Sequence, residues 1–339
     1  MKLKITFVLV FCIGLSLNAS AKEFATVGFL THKVFNPERN ESITVDIWYP
    51  TAVDSTEFTV GKNKVFLGTK ASLGAPISDG KYPVVLLAHG GMRAAPVHSG
   101  WVASGLAKRG LIVIVPKPPQ FSNISPDVAS NELWLRPADL SYSLASVEKM
   151  EALSRSIEKD RVYGVGFFLG GTSMLSLAGA KFDASLYKQS CEQENINVDC
   201  GWLRKNQINL GSISAAKISR LNKNSQIKAV VSINPELTKT LDEASLKQVN
   251  IPVKVIDLRN SQSDNLALSL AGSLKAIPDL TRFHVAGSNI FSAFGLCTQQ
   301  GSMILSMEGD ENICKEPSKQ SRKDIHNLLI EEIADFISH

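Results

Sequence analysis

The chain has 339 residues, of which 44% are hydrophobic and 20% charged, and its formal net charge at pH 7 is +4. This length and composition supply enough apolar side chains for one large core. Loss of Lys2 and Lys4 with a cleaved leader would lower the net charge from +4 to +2. A nearly neutral protein lacks the basic surface that nucleic-acid binding requires, so no nucleic-acid partner is expected.

The N-terminus has the pattern of a secretory signal peptide. A basic start at Met1–Lys4 precedes an apolar run at Ile5–Leu17 that is too short to span a bilayer, and small residues follow at 18–21. We therefore predict a signal peptide over residues 1–21 and a periplasmic or extracellular mature chain; an uncleaved membrane anchor is the alternative. No later apolar run reaches spanning length, so no transmembrane segment is expected in the mature chain.

The chain has 5 cysteines, and Cys12 would leave with the signal peptide. An even number of cysteines in an oxidising compartment predicts disulfides. Local pairing, Cys191 with Cys200 and Cys297 with Cys314, is the simplest of the three possible connectivities. Metal binding is disfavoured because there is no C-x-x-C motif and no neighbouring histidine pair.

Apolar patterns predict an α/β fold. Residues 24–35 and 42–49 alternate in polarity like antiparallel edge strands, whereas continuous apolar runs, such as residues 83–88, are typical of parallel strands covered on both faces. Such strands are predicted at 83–88, 111–115, 161–168, 227–233, 253–258 and 281–285, and amphipathic helices at 98–109, 138–153 and 322–337. Alternating strands and helices predict a mostly parallel, twisted sheet with helices on both faces.

We predict a single domain over residues 22–339. The polar segment at about residues 181–226 interrupts the alternation of strands and helices and contains Cys191 and Cys200. It is interpreted as a lid-like insertion held by a disulfide.

The turn after the strand at 161–168 has the spacing of a nucleophile elbow. Gly166-Phe167-Phe168-Leu169-Gly170 matches G-x-S-x-G, in which small residues permit a sharp turn between strand and helix, except that Phe168 occupies the serine position. Gly164, Gly166 and Gly170 do not form the dinucleotide-binding fingerprint G-x-G-x-x-G, because their spacing is G-x-G-x-x-x-G, one residue too long. No cofactor and no metal are predicted.

Several segments, taken in order and spacing, resemble one known family. They are His89-Gly90-Gly91, the stretch from Leu133 to Leu140, the elbow, the stretch from Ile251 to Ile256, Ala276-Ile277-Pro278, and Phe291 to Phe294 with Cys297. Together they resemble the secreted dienelactone-hydrolase and platelet-activating-factor-acetylhydrolase-like branch of the α/β hydrolases. The resemblance spans most of the mature chain and implies the α/β-hydrolase fold and carboxylic-ester hydrolysis.

The resemblance also implies where a catalytic triad would lie. The nucleophile position is Phe168, the acid position is Ser261 and the histidine position is Ile290, so none of the three can perform its expected role. Gly90, Gly91 and Leu169 correspond to the loop and helix start that form an oxyanion hole. No catalytic residue is therefore expected.

Nearby serine, aspartate and histidine residues could in principle replace the triad. Ser173 is expected to pack in its helix, and Ser288 and Ser292 lie on the expected loop without an evident base. Asp257 and Asp264 flank the acid position. Only His89, which would shape the oxyanion-type loop, and His284, which would pack inside a strand, are expected near the site.

These substitutions lead to a hypothesis about function. A bulky residue at an elbow is costly, so the turn at Phe168 is expected to have relaxed, with Phe167, Phe168 and Ile290 filling the former pocket. They would either extend the core or line an apolar cleft for an acyl ligand. We predict an exported, catalytically degenerate homologue that acts as a binding or interaction protein of unknown partner. One alternative is an active ester hydrolase with a rearranged site, and another is a protein with a purely structural role as a partner subunit.

Overall fold

The structure is a computed structural model that describes residues 23–91, 96–119, 131–192, 207, 213–258 and 274–338. Cys200 and Ser261 lie outside the described residues, and the side chain of Cys191 is not described. The predicted signal peptide and residues 193–206 and 208–212 of the predicted lid-like insertion also lie outside them.

One sheet of 10 strands organises the described residues. The strands are β1 Thr26–Asn36, β2 Glu41–Thr51, β3 Glu57–Val60, β4 Thr69–Leu73, β5 Tyr82–Ala88, β6 Ile112–Lys117, β7 Ile157–Phe167, β8 Ile227–Ile233, β9 Val253–Asp257 and β10 Leu280–His284. Their order across the sheet is β10-β9-β8-β7-β5-β6-β2-β1-β4-β3. β5 to β10 are mutually parallel, whereas β2 pairs antiparallel with both β6 and β1.

The helices follow the strands along the chain. They are α1 Gly100–Lys108, α2 Glu132–Val147, α3 Glu151–Ser154, α4 Leu169–Ala178, α5 Ala184–Glu192, α6 Ala215–Ile218, α7 Glu243–Leu246, α8 Gly301–Glu308 and α9 Arg322–Ser338. α9 begins after Ser321, whose hydroxyl accepts from the Asp324 N–H and donates to the Asp324 carboxylate. This reciprocal cap provides a partner for one of the N–H groups that a helix start leaves unpaired.

The sheet separates two apolar clusters. α2 and α4 cover one face, where Leu144 and Met174 pack with Leu86 of β5. α1 and α9 cover the other face, where Leu106 and Leu329 pack with neighbouring strand residues. Because successive strand residues point to opposite faces, a strand covered on both faces must be apolar at every position. The buried run Tyr82–Ala88 satisfies this requirement.

The predicted α/β architecture is confirmed, with specific corrections. All six predicted parallel strands form, and the segment at 227–233 does so with identical bounds. The N-terminal hairpin is antiparallel as predicted but is not the edge of the sheet, since β4 and β3 lie outside it. The helix predicted at 138–153 begins earlier, at Glu132, and ends at Val147.

The predicted pairing of Cys297 with Cys314 is confirmed, because these residues form a disulfide across 17 positions of sequence.

A buried ion network joins the β1–β2 hairpin to α2. Arg39 donates to both carboxylate oxygens of Glu132 and of Asp139 at 2.7–2.9 Å, and Asn36 donates to Asp139 at 2.7 Å. The Arg39, Glu132 and Asp139 side chains are no more than 2% exposed. Arg39 lies 100 positions before its partner Asp139 in the chain.

Replacing Arg39 by methionine should destabilise the fold strongly. The change would leave two buried carboxylates without their cation, and removing one partner of a buried ion pair costs about 3–5 kcal/mol. The free energy of unfolding, measured by urea denaturation, is expected to fall by this amount. Lys70→Met is the matched control, because its pair with Glu57 is 74% and 64% exposed and should contribute at most about 1 kcal/mol. Equal effects of the two changes would contradict the network's role.

Candidate functional site

The turn between β7 and α4 has the strained backbone of an elbow. Phe168 lies there with φ 59° and ψ −126°, a region that non-glycine residues rarely occupy. Its N–H donates to the carbonyl of Ile233 at 2.9 Å, and its carbonyl accepts from the N–H of Thr172 at 3.1 Å. The prediction that the turn has relaxed is wrong, because these bonds to β8 and α4 hold Phe168 in place.

Close packing of glycines explains why the turn is so sharp. A Cβ atom on Gly166 would lie 2.2 Å from the carbonyl oxygen of Gly170, and one on Gly170 would lie 2.3 Å from the carbonyl oxygen of Ala88. Neither backbone atom can move without disrupting the sheet or the helix. Glycine is therefore required at both positions, and this close approach leaves the chain little choice of conformation at Phe168.

Aromatic rings surround Phe168, which is 9% exposed. Its ring centroid lies 5.7 Å from that of His89 and 6.2 Å from that of Phe294. Phe167 is fully buried beneath them, but Ile290 is 37% exposed. The prediction that Ile290 helps to fill the pocket is therefore corrected: Phe294, from the same loop, packs beside Phe168.

The oxyanion-type loop is attached to the elbow. The carbonyl of Gly90 accepts from the N–H of Gly170 at 3.2 Å and from Nη1 of Arg136 at 2.7 Å, while Nη2 of Arg136 donates to the carbonyl of Gly91 at 2.7 Å. A trans peptide directs its N–H opposite to its carbonyl, so the Gly90 carbonyl fixes the direction of the Gly91 N–H. The structure thus brings Gly90 and Gly91 beside the first turn of α4, which begins at Leu169.

Arg136 connects this loop to the buried ion network. Its Nε atom lies 3.8 Å from the Glu132 carboxylate, which in turn binds Arg39. The tertiary structure makes Arg136 the link between a distant hairpin and two carbonyls at the elbow.

Three buried or half-buried histidines cluster near the elbow: His89, His98 and His326. His89 donates from Nε2 to the carbonyl of Ala293 at 3.0 Å, and His326 donates from Nε2 to the carbonyls of Ser292 and Phe294 at 2.9 and 3.1 Å. Burial lowers the pKa of His89 to about 3 and that of His326 to about 3. Burial and the nearby Arg322 lower the pKa of His98 to about 4. All three imidazoles are therefore neutral at pH 7.

The prediction that only His89 and His284 would lie near the site is wrong. The ring centroids of His89 and His98 are 6.0 Å apart, and His326 stacks at 3.6 Å on Trp101, which shares the Ala293 carbonyl with His89. His284 is exposed at the end of the edge strand β10, not packed under a helix. One sequence signal for His326 existed, namely its place among apolar residues on one face of the closing helix.

The serines considered as substitute nucleophiles have other partners. Ser173 donates to the carbonyl of Leu169, as expected for a residue that packs in its helix, and Ser288 donates to the carbonyl of Val285. Ser292 donates to the Glu316 carboxylate, which also binds Arg322. Asp257 ends β9 at the carboxyl edge of the sheet, whereas Asp264 and Ser261 lie outside the described residues.

An open cavity of about 530 Å³ lies elsewhere, beside α5 and α7. Its two carboxylates cap helices, since Asp183 accepts from the N–H of Ser185 and Asp242 from that of Ser245. The cavity contains no elbow residue. Within the described ranges, no group of three or more histidine, cysteine or acidic side chains could hold a metal, and no helix is long and apolar enough to cross a membrane.

Comparisons with known proteins support the fold. The structure is similar to a ferulic acid esterase from Streptomyces cinnamoneus, with a TM-score of 0.57 and 14% identity over 92% of this chain and 88% of that chain. A dienelactone hydrolase from Anabaena variabilis has a TM-score of 0.48 and 12% identity over 89% of this chain and 95% of that chain. By sequence, the chain matches no family model and no curated protein. The likeness to the ferulic acid esterase shows that the chain has the α/β-hydrolase fold.

Phe168→Gly should be more stable than Phe168→Ala. Both changes remove the ring, but only glycine relieves the positive φ, which is worth about 1–2 kcal/mol. Urea denaturation should show this order. Leu175 in the middle of α4 is the control, because alanine there should be more stable than glycine by about 1 kcal/mol. Finding alanine the more stable at position 168 as well would show that the turn is not strained.

Acidification should destabilise the protein through the histidine cluster. Because the folded state lowers these pKa values below the ordinary value of about 6.5, the unfolded state binds more protons, and stability is lost as pH falls from about 6.5 towards 4. Each buried histidine contributes up to about 1.4 kcal/mol per pH unit to the slope of the unfolding free energy against pH.

The unfolding free energy of His326→Gln, which retains an N–H donor, should therefore depend less on pH over this range than that of the wild type. The exposed His284→Gln is the control and should retain the wild-type slope. A wild-type slope in His326→Gln would show that this imidazole is not kept neutral by burial.

Proposed function

We propose that this chain is an exported, non-catalytic protein with the α/β-hydrolase fold, which acts by binding an apolar or acyl ligand. The observation that carries the proposal is Phe168 in the elbow, at φ 59° and ψ −126°. A phenyl ring occupies the backbone position from which a serine hydroxyl would attack a carbonyl, and a phenyl ring cannot act as a nucleophile. Export rests on the pattern of residues 1–21.

The surroundings of Phe168 support the absence of a general base. A serine hydrolase needs an imidazole nitrogen free to accept the nucleophile's proton. Nε2, the atom with which a triad histidine accepts the serine proton, instead donates to backbone carbonyls of residues 292–294 in both His89 and His326. The acceptor atom left on His89 is Nδ1, which is buried. The position implied for the catalytic histidine is the partly exposed Ile290.

The same surroundings favour an apolar ligand. Ligands of parallel α/β sheets bind beyond the carboxyl ends of the strands, where Phe168, Phe294 and His98 meet. An aromatic wall suits an acyl or aryl group.

An active hydrolase with a rearranged site is the second candidate, and one contact favours it. Nε2 of His32 lies 3.0 Å from Oγ of Ser146, a serine–histidine pair between β1 and the end of α2. Ser146 is ten positions along α2 from Arg136, or about 15 Å. The pair is therefore remote from the elbow, where the fold would place an oxyanion hole.

A fluorophosphonate probe tests the proposal, since it reacts with serines whose hydroxyl is activated by a nearby base. The purified chain should remain unlabelled under conditions that label an active esterase of the same fold. Phe168→Ser should also remain unlabelled, because it supplies the hydroxyl without the base.

Stoichiometric labelling of the wild-type chain would overturn the proposal. The labelled peptide would then identify the nucleophile, and loss of labelling in Ser146→Ala would assign the activity to the pair with His32. Labelling that appears only in Phe168→Ser would show that a working base lies at the elbow, contrary to the argument from His89 and His326.

A further inference from the structure

A short segment covers the elbow, and we call residues 289–297 the strap. The strap begins with the capped turn Ile290–Ala293 and ends at Cys297. Phe294 of the strap packs at 4.5 Å from His98 and 5.9 Å from His89, measured between ring centroids, and lies beside Phe168. A ligand that reaches Phe168 from this side must displace Phe294.

The strap is held through its own backbone. The carbonyls of residues 292 to 296 all accept hydrogen bonds from outside the strap. His326 donates to the carbonyls of residues 292 and 294, and both His89 and Trp101 donate to the carbonyl of residue 293. Arg322 donates to the carbonyl of residue 295, and the N–H of Leu67 donates to the carbonyl of residue 296. Four of these five donors are side chains, so the position of the strap depends on how those side chains are oriented.

Arg322 links the strap to the segment that carries Cys314. Its guanidinium donates to Gly295 on the strap and to the Ile313 carbonyl and the Glu316 carboxylate on the segment between α8 and α9. Residues 309–321 of that segment contain no helix or strand. Cys314, bonded to Cys297 at the end of the strap, is therefore the covalent tie that keeps Ile313 and Glu316 beside Arg322.

The charges of Arg322 and Glu316 make the position of Arg322 sensitive to the Cys297–Cys314 disulfide. The Arg322 side chain is 6% exposed and Glu316 is its carboxylate partner, while Nη1 of Arg322 also lies 3.7 Å from Sγ of Cys297. A buried guanidinium that loses its carboxylate is strongly unfavourable and must reach water. Movement of Arg322 would withdraw the donor to Gly295 and disturb His326, one helical turn further along α9.

We propose that the Cys297–Cys314 disulfide latches the strap over Phe168, and that its reduction opens the site to an apolar ligand. This inference rests on the proposed binding function of the same site. Both cysteines are half-buried and therefore within reach of a small or protein dithiol.

The redox step is a thiol–disulfide exchange. A dithiol reductant transfers two electrons and two protons to the disulfide, so that Cys297 and Cys314 become thiols and the reductant becomes a disulfide. The reverse exchange with an oxidant of the same class closes the latch again.

Hydrogen exchange followed by mass spectrometry tests the latch on the full mature chain. In dithiothreitol-treated protein and in a Cys297→Ser, Cys314→Ser double variant, amides of the strap should exchange about tenfold faster, while those of β5 and β7 keep their protection. The Cys191→Ser, Cys200→Ser double variant is the matched control and should exchange as the wild type does before reduction.

Binding of N-phenyl-1-naphthylamine, an uncharged apolar fluorophore, provides the second readout. It should bind about tenfold more tightly to the reduced protein and to the Cys297→Ser, Cys314→Ser variant, because the state with the strap open, which can bind the fluorophore, is more populated. The oxidised Cys191→Ser, Cys200→Ser variant should bind it as weakly as the oxidised wild type.

Unchanged hydrogen exchange in the strap after reduction would overturn the latch. Loss of protection throughout the sheet would also overturn it, because the disulfide would then stabilise the whole fold and not the strap in particular. Faster exchange without tighter fluorophore binding would show that the strap does not cover an apolar site. Fluorophosphonate labelling in either redox state would refute the non-catalytic function and leave the exchange result standing, so the two proposals fail separately.

Discussion

The contact between the end of β7 and the first turn of α4 is the constraint on which the site depends. Gly166 and Gly170 approach so closely that a Cβ atom on Gly166 would lie 2.2 Å from the Gly170 carbonyl oxygen. This contact imposes the backbone conformation of Phe168 and brings the N–H of Gly170 to the Gly90 carbonyl. The direction of the Phe168 ring, the start of α4 and the attachment of the glycine loop all follow from it.

Two sets of buried polar side chains then fix the surroundings of the elbow. Arg39 and Glu132 support Arg136, which holds the loop at Gly90 and Gly91, while His326 and Arg322 of α9 hold the strap. Buried polar groups stabilise a structure only when their hydrogen bonds are made, so these sets are sensitive to the loss of one member. The result is a well-defined frame around a phenyl ring.

The elbow of this chain forms without a hydroxyl at its tip. The elbow depends on glycines and backbone hydrogen bonds, which impose no requirement for a hydroxyl at position 168. Catalysis requires cooperating side chains, whereas Phe168 and Ile290 provide neither nucleophile nor base. A binding site can use the same frame, because a cleft needs shape and apolar surface more than a reactive group.

The sequence by itself determined the parallel strands and the position of the elbow, and it favoured the pairing of Cys297 with Cys314 over two other connectivities. Continuous apolar runs encode burial on both faces, and glycine spacing and short cysteine separation are local properties of the chain. Only the tertiary structure decided that Phe168 keeps a strained conformation and that His326 reaches the strap. It also decided that Arg39 pairs with α2, because residues 100 positions apart meet only when the order of strands brings their elements together, which no local pattern records.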